Sequence, residues 1–188
     1  VWFADENNGF IVGSFNLIFR TSDGGASWEP WFHRTENPNR LHLYAIRKAN
    51  GGLYIAGEQG TVLKLDAAGG RFVALDTGYK GTFFGVAGSG DSVTVYGLRG
   101  HAFRSTDGGK TWHKTATNLP DGITGAASCS ATRLLLVSQS GRLLVSDDAG
   151  ATFRAVKVDQ PSPATAVACL GDNAVIAGTR GVRVQAIQ

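Results

Sequence analysis

Three aspartates stand in one repeated setting, and that setting limits the chemistry open to them. They are Asp23 in Thr21-Ser22-Asp23-Gly24-Gly25-Ala26-Ser27-Trp28, Asp107 in Ser105-Thr106-Asp107-Gly108-Gly109-Lys110-Thr111-Trp112, and Asp148 in Ser146-Asp147-Asp148-Ala149-Gly150-Ala151-Thr152-Phe153. A carboxylate is a candidate acid, base or nucleophile, above all in glycoside hydrolysis, where two of them flank the scissile bond. Here each lies in the pattern [Ser/Thr]-x-Asp-x-Gly-x-[Ser/Thr]-aromatic. An aspartate so placed accepts hydrogen bonds from nearby backbone N–H groups and closes an Asx-type turn. The glycines supply positive φ, and the far hydroxyl ties the turn back on itself. All three carboxylates are thereby assigned to structural turns. The aromatics Trp28, Trp112 and Phe153, with Phe72 at the same repeat position, are assigned to the core.

The remaining polar residues form no catalytic set. Asp66, Asp91, Asp121 and Asp172 sit in apparent tight turns, and Glu29 and Glu36 are near one another only in sequence. Glu58 has no identifiable tyrosine partner, since Tyr44, Tyr54 and Tyr96 read as strand residues. His33 and His42 flank a loop, while His101 and His113 fall on strands. With no H-x-x-x-H or H-x-H spacing, no metal site is expected, and no cofactor. Cys129 and Cys169 are 40 residues apart, at equivalent places on the innermost strands of neighbouring repeats. A bridge needs Cα atoms within about 7 Å. The expectation is that neighbouring inner strands lie too far apart and that both cysteines are buried free thiols.

Composition narrows the class further. The 188 residues include 26 glycines and no methionine, and the net charge is +3. Lysines and arginines are scattered without a run of five, which argues against nucleic acid as a partner. No stretch approaches 18 apolar residues, so direct membrane insertion by a helix is not expected. The start Val1-Trp2-Phe3 lacks the charged-then-apolar form of a signal peptide and reads as a mature product or a fragment.

The elements that must position these residues follow from a repeat. Short G-x-x-G-like turns begin at Gly13, Gly57, Gly97, Ser138 and Gly178, in steps of 44, 40, 41 and 40 residues. Ten residues after the anchor stands Asp23, Asp107 or Asp148; fifteen after stands Trp28, Phe72, Trp112 or Phe153. The second unit breaks the pattern, with Ala67 in place of the aspartate and Asp66 one position early. Within the third unit, 82–87, 92–96, 101–105 and 111–115 read as four short strands joined by Gly/Asp turns. Four-stranded units of about 40 residues read as blades of an all-β propeller. One domain of five units is expected, at about 1–31, 43–75, 82–115, 123–156 and 164–188. The first and last are incomplete, as in a piece of a six- or seven-bladed ring.

The aspartate turn looks like the Asp-box, or BNR repeat. Gly13 to Trp28, Gly97 to Trp112 and the strand Asn8-Gly9-Phe10-Ile11-Val12-Gly13 resemble the photosystem II stability/assembly factor-like BNR propellers, over almost the whole chain. That resemblance implies a non-catalytic module that binds a protein or peptide, including a segment of a membrane protein. It also implies export to the periplasm or beyond. The alternative is an Asp-box glycoside hydrolase of the sialidase kind, which needs three arginines, a Tyr–Glu pair and an Asp acid/base.

In a four-stranded blade the turn between strands two and three opens on the same side as the inter-blade connections, and the Asp-box turn opens on the other. Binding is expected on the first side, at Phe15, Asn16, Glu58, Gln59, Leu98, Arg99, Ser140 and Arg180. Arg99 and Arg180 hold one repeat position and could clamp a carboxylate. Tyr79, Lys80, Arg34 and Arg40 are expected on the same rim.

Overall fold

The computed structural model describes residues 1–66 and 70–187 as five antiparallel sheets. Ala67, on which the reading of the second unit rests, lies outside the described residues. The first sheet is β1 (Trp2–Phe3), β2 (Gly9–Val12), β3 (Ile18–Thr21) and β4 (Glu29–Pro30). The second is β5 (Leu43–Ala49), β6 (Gly52–Gly57), β7 (Val62–Leu65) and β8 (Phe72–Leu75). The third is β9 (Phe83–Ser89), β10 (Ser92–Gly97), β11 (Ala102–Ser105) and β12 (His113–Thr115). The fourth is β13 (Ile123–Ser128), β14 (Leu134–Ser138), β15 (Leu143–Ser146) and β16 (Arg154–Val156). The fifth has three strands, β17 (Ala164–Leu170), β18 (Asn173–Gly178) and β19 (Gly181–Ala186). Every sheet is a meander in chain order, the form of a propeller blade.

The blades hold together at their seams. One apolar cluster joins the first and second blades through Phe10, Ile18, Ile46, Ile55 and Phe72. A second joins the second and third through Tyr54, Val62, Phe83 and Val95. A third joins the third and fourth through Tyr96, Ala102, Leu134 and Leu144. The last joins the fourth and fifth through Val137, Val145, Ala174 and Ile176. Every residue of β10 and β14 is buried, including Ser92 and Thr94 of the segment 92–96, which alternates in sequence. A strand sandwiched between neighbouring sheets has no solvent face. The outer faces of the first and fifth blades leave Phe3, Ile11, Val182 and Val184 exposed. Trp28 is accordingly half-buried, edge-on against Phe3 at 6.0 Å, rather than in a core cluster as its repeat position suggested.

The inner strands approach one another almost backbone to backbone. A Cβ added at Gly125 on β13 would stand 3.2 Å from the Ala166 Cα on β17, and the Thr124 hydroxyl donates to the Ala164 carbonyl at 2.6 Å. That proximity overturns the expectation of free thiols. Cys129 and Cys169 are bridged, with Cα atoms 5.5 Å apart, inside the range a disulfide requires. Neighbouring blades converge toward the centre, and spacing along the sequence carries no measure of that convergence.

The Asp-box turns match their sequence assignment. In the third blade the buried Ser105 hydroxyl donates to Asp107 Oδ1 at 2.7 Å and accepts from the Gly109 N–H at 2.9 Å. The Thr111 N–H and hydroxyl donate to the two Asp107 oxygens at 2.9 and 2.6 Å. The same web surrounds Asp23 and Asp148. Hydrogen bonds to the ionised form favour it. Those from Ser27 hold Asp23 down at about 2, from the usual 3.8. Asp148 lies at about 2 against desolvation, through Thr152 and Ser146, and Asp107 is lowered by Thr111 and Ser105. These carboxylates are held ionised at neutral pH, where they are poor proton donors.

Candidate partner-binding face

The turns between strands two and three gather on one side with the inter-blade connections, as blade topology requires. Glu58 N–H donates to the His42 carbonyl at 3.0 Å, Leu98 N–H to Thr82 at 2.9 Å, Gln139 N–H to Gly122 at 2.8 Å and Thr179 N–H to Pro163 at 3.0 Å.

The first three turns share a backbone. Phe15 and Asn16 have φ of 54° and 61°, Gln59 and Gly60 of 51° and 77°, Arg99 and Gly100 of 56° and 70°. Each is closed by a bond from the following N–H, such as Thr61 to the Glu58 carbonyl at 2.8 Å. Two successive left-handed residues make a type I′ hairpin turn, which explains the final glycine of G-x-x-G and the tolerance of asparagine at 16. Non-glycine residues are uncommon there. Phe15, Gln59 and Arg99 accept that geometry while pointing into solvent, and Phe15 is 70% exposed. Asn16 is buried and accepts from Asn37 Nδ2 at 3.0 Å, so it anchors the turn rather than offering a contact.

Arg99 and Arg180 are not structural equivalents. In the third blade Gly97 N–H reaches across the turn to the His101 carbonyl at 2.9 Å, four residues on. In the fifth, Gly178 pairs with Gly181, three residues on. The tighter hairpin shifts the register by one and turns β19 over. Arg180 therefore lies outside the left-handed region that Arg99 occupies. Arg99 lines a depression with His101, Lys114 and Asn118, whereas Arg180 lines a separate one with Asp159, Gln160 and Arg183. The two guanidiniums share a face but not a pocket. Burial, then Lys114 and Arg99, lowers the His101 pKa, so this depression favours the neutral imidazole.

Glu58 does have a tyrosine partner. The Tyr44 hydroxyl donates to Glu58 Oε1 at 3.3 Å, and the His42 N–H to Oε2 at 2.9 Å. Tyr44 sits on β5 with its ring 48% exposed, which is why strand position alone concealed the contact. Burial and the Glu58 charge raise the phenol pKa, the opposite of what an activated nucleophile needs. Around it runs a row of rings across three blades: Phe15 to His42 at 4.5 Å, His42 to Tyr44 at 6.4 Å, and Tyr44 to Phe84 at 6.1 Å. Tyr79 stacks on His101 at 4.9 Å on the same side.

Arg34 departs from its expected place. Its guanidinium lies 4.5 Å over the Trp31 ring, in a cleft shared with Asp5, Asn8 and Gly70, all at turns of the opposite face. The connection from Trp31 dips beside β8, where Thr35 bridges Phe72 in parallel, before it rises to β5. Among the described residues no three His, Cys, Asp or Glu side chains gather to hold a metal, and no helix is long and apolar enough to cross a membrane.

Comparison with known proteins yields the following likenesses. Residues 1–118 match the family model described as photosynthesis system II assembly factor YCF48. The photosystem II assembly lipoprotein Ycf48 of Synechococcus sp. (strain CC9902) is 26% identical over 155 residues, which cover 81% of this chain and 46% of that protein. This chain thus spans about half the length of that relative. A solved structure of YCF48 bound to D1 peptide superposes with a TM-score of 0.68 at 16% identity, over 98% of this chain and 65% of the other. YCF48 from Cyanidioschyzon merolae gives 0.67 at 13%, over 96% and 66%. At these identities the structures speak for the fold.

Proposed function

We propose a non-catalytic, peptide-binding role for this chain, which belongs to the photosystem II assembly factor YCF48 family. The observation that carries the reading is the set of exposed, left-handed side chains Phe15, Gln59 and Arg99 on one face. Backbone strain at exposed residues costs stability and points to function. The partner is an extended or looped protein segment with acidic residues. It would lie along the aromatic row and reach Arg99, and Arg180 through a second acidic group, since the two arginines occupy separate depressions. A relative whose structure holds a D1 peptide supports a peptide ligand.

The compartment belongs to the same proposal: the protein works outside the reducing cytosol. The Cys129–Cys169 bridge supports this, because structural disulfides persist in oxidising compartments, and the Synechococcus relative is a lipoprotein.

The test is capture of partners from an envelope extract of the source organism by wild type, by Arg99→Glu with Arg180→Glu, and by Lys110→Glu in an Asp-box turn of the other face. The double arginine variant should lose the partner, since each charge-assisted bond is worth roughly 1.5–3 kcal/mol and reversal adds repulsion. The Lys110 variant should keep it. Loss in the Lys110 variant with retention in the double variant would place binding on the other side.

A further inference from the structure

The second blade lacks the Asp-box sequence that accompanies two of the other seams. In the intact seams, the Asp-box turn of one blade is held by a cation on strand three of the blade before. Lys64 Nζ donates to the Gly108 carbonyl at 2.8 Å, and Arg104 Nε to the Ala149 carbonyl at 2.8 Å. The turn's aromatic, Trp112 or Phe153, then packs into the seam. Arg20 holds the repeat position of Lys64 and Arg104. At the corresponding place in the second blade the sequence reads Leu65-Asp66-Ala67-Ala68-Gly69-Gly70-Arg71, without the two hydroxyls and the aspartate of the Asp-box. Its described backbone closes through Asp66 N–H to the Arg71 carbonyl at 2.7 Å. Arg20 lies 5.1 Å over the Trp31 ring and 3.6 Å from Glu29.

A cleft of about 490 Å³ opens along this seam, lined by Trp2, Phe10, Trp31 and Leu65 with Arg20 and Arg34. That volume lies within the usual range for a small ligand. The Trp31 indole N–H is buried and has no acceptor among the described residues, although the residue is 93% enclosed. Arg34 forms no ion pair among the described residues and stacks on the same ring. Glu29 is an exposed, easily displaced partner for Arg20. Asp5 also borders the cleft, but its oxygens accept from Asn7 N–H, Asn8 N–H and Asn8 Nδ2.

We propose that this cleft binds a small organic anion, a carboxylate carried on an aromatic or aliphatic body. The body packs against Trp2, Phe10 and Leu65. The carboxylate meets the guanidiniums of Arg34 and Arg20, whose planar forks match it, beside the Trp31 ring on which both stack. The site is on the face opposite the proposed peptide surface and does not rest on that reading.

The probe is 2-naphthoate, with 2-naphthylmethanol as its uncharged counterpart, titrated into the full ¹⁵N-labelled chain and followed by calorimetry and by the Trp31 indole N–H resonance. Naphthoate should shift that resonance. The alcohol should bind at least tenfold more weakly, and Arg34→Ala, at an exposed position, should weaken naphthoate at least tenfold with an unchanged melting temperature. Arg99→Glu with Arg180→Glu should leave naphthoate binding intact, which separates this site from the other face. Decanoate and N-acetyl-Ala-Ala-Phe, run in parallel, tell a free acyl acid from a peptide carboxyl terminus. An unmoved Trp31 resonance, equal affinity for the alcohol, or no loss in Arg34→Ala overturns the proposal.

Discussion

Removing the link between the fourth and fifth blades should reveal how much of the fold depends on it. The perturbation is Cys129→Ala with Cys169→Ala. Both side chains only flank the apolar cluster of that seam, so alanine keeps most of the packing and deletes the cross-link. The bridge closes a loop between residues 40 apart. In the chain-entropy treatment that loop removes about 13 cal/mol/K from the unfolded ensemble, or about 4 kcal/mol at 25 °C. At about 2–4 °C per kcal/mol for a chain of this size, the melting temperature should fall by roughly 8–16 °C. Calorimetry of the wild type with and without reductant, beside the double variant, makes the measurement. The reduced wild type and the variant should coincide. Hydrogen exchange should quicken first in β17–β19, which lean on one seam only. A loss under about 1 kcal/mol, or two titratable thiols in denatured protein prepared from an oxidising compartment, would refute the argument.

Two further outcomes follow from the turns. Ser105→Ala should destabilise by about 1–3 kcal/mol in urea titration, because the buried Gly109 N–H loses its acceptor, whereas exposed Thr106→Ala should stay within about 0.5 kcal/mol; equal losses would remove the hydroxyl from the turn's architecture. The lowered pKa values of Asp23 and Asp148 set an acid limit. A depressed carboxylate contributes stability that is fully present above its unfolded value, near 3.8, and is lost as pH falls toward about 2. Melting temperature should therefore drop between pH 4 and 2, and the drop should shrink in Asp148→Asn; a variant with the wild-type acid profile would count against the mechanism.

Much of this molecule is determined by local sequence. A type I′ turn needs two left-handed residues, so glycine or asparagine must fall at 16, 60 and 100. An Asp-box needs a hydroxyl, a carboxylate and glycines at set spacing, so Asp23, Asp107 and Asp148 declare their turns. The alternation of 92–96 announces a strand, although its burial on both sides is decided by the neighbouring blades. These are short-range constraints, satisfied within a few residues of the chain. The distance between blades is different in kind. It is set by how side chains from separate sheets mesh, and it decided that Cys129 meets Cys169. The same holds for Tyr44 reaching Glu58, and for Arg34 turning down beside β8 rather than up to the rim. The fifth hairpin tightened by one residue while its Gly-Thr-Arg-Gly sequence still fitted the repeat, because either register satisfies the local chain and only pairing across β18 and β19 selects one. Repeat position told which residues were comparable; tertiary packing decided which of them came together.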